Sequence, residues 1–170
     1  MEALVTPLGI GLPTEARVWW GWHDGTEIDL LSHAIGHDIL PLQLAQAVEQ
    51  YGELLEAASD VTADDENSDP DDFWRREWFP FAVPRRAHLA CDCSVAETAP
   101  TPIRHVDFYF HAESQVPVSP SLGAVVSLWI DAIDREAWTY DHDRPGWTRH
   151  PERLPRLDGR TRLLVAELGE

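Results

Sequence analysis

Ala87-His88-Leu89-Ala90-Cys91-Asp92-Cys93-Ser94-Val95 alternates in character along its length. Ala87, Leu89, Cys91, Cys93 and Val95 fall on one side, and His88, Ala90, Asp92 and Ser94 on the other. That period of two predicts a half-buried strand. The run from 105 to 112 repeats it, with Val106, Phe108, Phe110 and Ala112 set against His105, Asp107, Tyr109 and His111. Downstream, Ser119-Pro120-Ser121-Leu122 opens a helix, with Ser119 as N-cap and Pro120 as first helical residue. Leu122, Val125, Val126, Trp129, Ile130 and Ile133 form its apolar stripe. Trp138–Tyr140 and Thr161–Val165 are expected to be short strands.

Upstream the period changes. A helix is expected from Leu12-Pro13-Thr14-Glu15 through Trp19-Trp20, stopped at His23-Asp24-Gly25, where Gly25 suits a left-handed cap. A second helix, about 42–58, places Leu44, Val48, Tyr51, Leu55 and Ala58 on one face. Helices, then strands, then a helix and closing strands predict one α+β domain spanning 1–170. A chain of 170 residues, 44% hydrophobic and with eight tryptophans, suffices for one core.

Charge is distributed unevenly. The first 72 residues hold sixteen Asp/Glu and a single base, Arg17, a formal −15 of the whole chain's −17. Glu49, Glu53, Glu56 and Asp60 recur at helical spacing opposite the apolar face of the second helix. Like charges at (i, i+4) cost an isolated helix about 0.2–0.5 kcal/mol each. Seven acids then crowd residues 60–72, among them Asp64, Asp65, Glu66, Asp69, Asp71 and Asp72, in what is expected to be a solvated loop. Such a surface repels nucleic acid and anionic lipid and attracts a basic protein. Trp74, at its edge, is a candidate aromatic anchor inside a charged rim and equally a candidate core residue.

Several chemistries are excluded. All thirteen Lys+Arg are Arg, so P-loop, Schiff-base and protein-kinase chemistry have no lysine to use. Cys91 and Cys93 are too close for an ordinary stapling disulfide and read as core residues. His33 and His37 have ligand spacing but no HExxH pattern, and no metal or cofactor is expected. Asp141-His142-Asp143 precedes Pro145-Gly146 and reads as turn chemistry. His105, Asp107, Tyr109 and His111 would suit a hydrolase only if they line a cleft. No apolar run spans a bilayer. Met1-Glu2-Ala3-Leu4 lacks the basic and apolar regions of a signal peptide, so a cytoplasmic protein is expected.

Four segments in this order resemble the SUKH superfamily of cell-wall-assembly regulators and bacterial toxin-immunity proteins. They are Leu12-Pro13 leading to Trp22-His23-Asp24-Gly25, then Trp78-Phe79-Pro80-Phe81, Leu89 to Asp92, and Ser119-Pro120-Ser121-Leu122. The usual helix before the Leu-Pro step is expected to be short, since Pro7, Gly9 and Gly11 interrupt it. The resemblance implies a central, mostly antiparallel sheet flanked by helices. It further implies a non-catalytic immunity protein that blocks a toxin domain of nuclease or deaminase type, and the acidic surface makes the expected cognate domain a basic one. The alternative is a regulatory or scaffold module that binds a host protein.

Overall fold

The computed structural model describes residues 1–25, 34–36, 38–63, 68–84, 87–107, 116–144 and 146–165. Helix α1 (Glu2–Val5) is a single turn, followed by a 3-10 turn at Thr6–Leu8 and by Gly9 at φ +71°. The N-terminal helix is therefore as short as expected. Helix α2 (Thr14–Trp22) buries Ala16, Trp19 and Trp20. Helix α3 (Leu44–Thr62) buries Leu44, Ala47, Tyr51, Leu54 and Ala58. Helix α4 (Leu122–Asp134) lies beyond the sheet in sequence.

Strands β1 (Ile39–Pro41), β2 (Trp78–Pro84), β3 (His88–Asp92) and β4 (Ile103–Val106) form one antiparallel sheet in that order. Strands β5 (Trp138–Asp141) and β6 (Gly146–Arg149) form a separate hairpin. The chain is a single α+β domain. No helix among the described residues is long and apolar enough to cross a membrane.

The sheet is covered on both faces. Leu89 and Cys91 join a large cluster with Trp19, Phe81 and Trp129, while Ala90 between them joins a small one with Leu54, Trp74, Trp78 and Val106. Alternation along β3 therefore separates two interiors, not inside from outside. Asp92 is accordingly 4% exposed, held by Arg104 at 2.7 Å.

Four expectations are corrected. The helix at the Ser-Pro step starts two residues late. Ser119 is held in an antiparallel bridge to Ile103, its carbonyl accepting from the Ile103 amide (3.0 Å), and this keeps it out of the helix; Ser121 caps instead, its Oγ accepting from the Ala124 amide (3.0 Å). In α4, Leu122, Val125, Trp129 and Ala132 are buried, whereas Ile130 and Ile133 are exposed. Thr161–Val165 is a 3-10 turn, not a strand: the Leu164 carbonyl accepts from the Trp129 indole (2.8 Å), docking the segment onto α4. The stretch 60–72 is not one loop. Helix α3 continues to Thr62, and Pro70–Asp72 is a 3-10 turn in which the Asp69 carboxylate accepts from the Asp71 amide (3.0 Å).

Candidate docking surface

Positions 49, 53, 56 and 60 lie at i, i+4, i+7 and i+11, which aligns them on one face of α3. The register follows from burial of Tyr51, Leu54 and Ala58 on the other face. Glu49, Glu53, Glu56 and Asp60 are all exposed, and none has an ion-pair partner among the described residues. Asp69, Asp71 and Asp72 are exposed on the following 3-10 turn. That turn is held beside α3, because Trp74 just after it packs in the same cluster as Leu54 and Ala58. The carboxylates of helix and turn thus share one neighbourhood. Asp64, Asp65 and Glu66 lie outside the described residues.

Trp74 is not the expected anchor. It is fully buried, edge-on to Trp78 (6.1 Å between centroids) and to His88 (5.9 Å). A tryptophan at the end of an acidic run can serve an interface or a core; here the small second core takes it.

The exposed aromatic lies elsewhere. Trp22 is 74% exposed, and with Val18, Trp19, Leu122, Gly123 and Val126 it lines an apolar cavity of about 370 Å³ between α2 and α4. Sequence reasoning missed this groove. Its signal was present in the spacing of Val18 and Trp22, one turn apart and off the Trp19-Trp20 face.

Burial, and then the neighbouring His105, lowers the His88 pKa to about 4, and His88 Nδ1 is buried with no hydrogen-bond partner among the described residues. For Asp92, burial works upward, but the Ser94 hydroxyl and the Arg104 guanidinium outweigh it and hold the carboxyl below its usual range. Cys91 and Cys93 are free thiols. Burial raises both, Cys93 to about 12 with help from Asp92.

His105 does line a cavity, of about 720 Å³, with Val118, Asp158 and Arg160 among its neighbours. Strand β4 ends at Val106 and Asp107 lies beyond it, so the expected strand over 105–112 is corrected to Ile103–Val106 as far as the described residues reach. Tyr109 and His111, like His33 and His37, lie outside the described residues. Asp158 is a turn residue whose Oδ1 accepts from the Arg160 and Thr161 amides (2.9 and 2.8 Å). Asp141 Oδ1 similarly accepts from the amides of Asp143 and Arg144 (2.9 and 3.1 Å), as the turn reading expected. Among the described residues no three His, Cys, Asp or Glu side chains are grouped to hold a metal ion.

No protein-family model matches the chain, and no curated protein matches it.

Proposed function

We infer that the chain is a non-catalytic binding protein of the bacterial immunity type, which neutralises a cognate basic toxin domain by docking it. The observation that carries this reading is the exposed row Glu49, Glu53, Glu56 and Asp60, with no ion-pair partner among the described residues. A solvated helix face gains a few tenths of a kcal/mol from mixed (i, i+4) pairs, and this one forgoes them. A cationic partner would turn that repulsion into attraction and speed its own association. The SUKH-like order of motifs supports the same reading, as do His88, Cys91 and Cys93, which burial keeps from acid–base or nucleophilic work.

The test is co-expression with the product of the adjacent gene. Rescue of growth, together with copurification at low salt, is the expected outcome. Failure to rescue growth, or a neighbour that is harmless alone, would sink the immunity reading and favour a regulatory or scaffold module.

A further inference from the structure

Helices α2 and α4 run side by side in the same direction. Glu15 Oε2 accepts from the Leu122 amide (3.2 Å) at one end, and Trp19 meets Trp129 (6.2 Å between centroids) further along. Beside this contact, Val18 is 63% exposed and Trp22 74% on α2. Ile130, one turn beyond the groove-lining Val126 on α4, is 53% exposed. Single exposed apolar residues need no explanation, but exposed Val18 and Trp22 across a groove from Val126 do, and Ile130 continues the Val126 side of α4 by one turn.

The groove also carries a charge. Glu15 Oε2 accepts the amides of Thr101 (2.7 Å) and Leu122, leaving Oε1 without a partner among the described residues. A side chain at position 123 would cover that oxygen, since a Cβ on Gly123 would lie 3.1 Å from it. A lone carboxylate oxygen at one end of an apolar trough fits a cation attached to an apolar ridge. A second copy of the chain fits poorly, because each copy carries −17.

We propose that the groove between α2 and α4 seats a basic amphipathic helix of a partner protein, its apolar face on Val18, Trp22, Val126 and Ile130 and an Arg or Lys on Glu15. The proposal rests on the reading of the chain as a binder of basic protein, but not on α3 being the docking face. The i, i+3, i+4, i+7 spacing of such a ligand is what a groove between two helices selects.

The test uses the full chain and two labelled peptides of identical composition: one with leucines at i, i+3, i+4 and i+7 and arginines on the flanks, the other scrambled. Fluorescence anisotropy should show the ordered peptide binding about ten-fold or more tightly than its isomer. Val18→Asp and Ile130→Asp, both on the surface, should each remove that advantage with helix content unchanged. Glu15→Gln should weaken binding and flatten its salt dependence. Absence of binding, equal binding of both peptides, indifference to Val18→Asp, or a dimer that Val18→Asp dissociates would each overturn the proposal. A triple variant, Glu49→Lys, Glu53→Lys and Glu56→Lys, separates the two surfaces. If it abolishes peptide binding that Val18→Asp leaves intact, the groove fails and the α3 reading survives. If it loses the neighbouring gene product yet keeps groove-dependent peptide binding, the α3 reading fails and the groove stands.

Discussion

Trp74, in the smaller of the two hydrophobic clusters, meets His88 edge to face with 5.9 Å between ring centroids. Two outcomes follow at this scale. Trp74→Ala should cost about 3–5 kcal/mol of unfolding free energy in urea titration, the usual range for truncating a buried tryptophan; a residue serving an interface would leave stability nearly unchanged. His88 is neutral in the folded state because its pKa falls to about 4, whereas the unfolded chain titrates near 6.5. The unfolded state therefore binds more protons between those values, so stability is present above about pH 6.5 and is lost as pH falls toward 4. The loss amounts to at most about 3 kcal/mol. His88→Phe should flatten that part of the pH–stability profile; an unchanged slope would show that His88 is not its source. Neither role was legible in the residues alone, because alternation places His88 opposite Leu89 without saying that a second core waits on that side.

At the scale of elements, helix ends depend on partners distant in sequence. The first amide of α3, that of Leu44, donates to Asp24 Oδ1 (2.9 Å), so the turn that ends α2 also caps α3. Gly25 makes this possible. Its φ is +69°, and a Cβ there would stand 2.1 Å from the Gln43 amide nitrogen and 2.2 Å from the Leu42 carbonyl carbon. Gly25→Ala should therefore destabilise the protein well beyond the roughly 1–2 kcal/mol of a left-handed alanine, as thermal unfolding would show; a loss no larger than that would mean the two segments can separate freely. The sequence placed the stop of α2 at His23-Asp24-Gly25 correctly, but its cap is His23 in extended conformation (φ −142°, ψ 110°), and the left-handed Gly25 comes two residues after it. The sequence could not show the backbone of the next helix pressed against that glycine. The same limit explains the two-residue error at Ser119, whose carbonyl is claimed by a strand sixteen positions earlier.

For the whole molecule, asymmetry of charge becomes a surface once α3 is docked. Reversing Glu49, Glu53 and Glu56 to lysine should weaken binding to the adjacent gene's product about ten-fold or more at low salt. The difference should shrink at high salt, where the Debye length falls to about 3 Å. Equal affinity at all ionic strengths would remove α3 from the interface. These substitutions should leave unfolding nearly unchanged, because the row is solvated and supports no ion pair among the described residues.

The acids' common face was readable beforehand: a helical period in Leu44, Tyr51 and Ala58 fixes where Glu49, Glu53, Glu56 and Asp60 must point. The α+β class was readable for the same reason, since periods of two and of 3.6 are local properties of the backbone. Only the tertiary structure decided which apolar residues are spent on the core and which remain outside. Trp74 and Trp22 are chemically the same residue, one buried completely and the other 74% exposed. That difference depends on which elements pack beside each, and no local period records it.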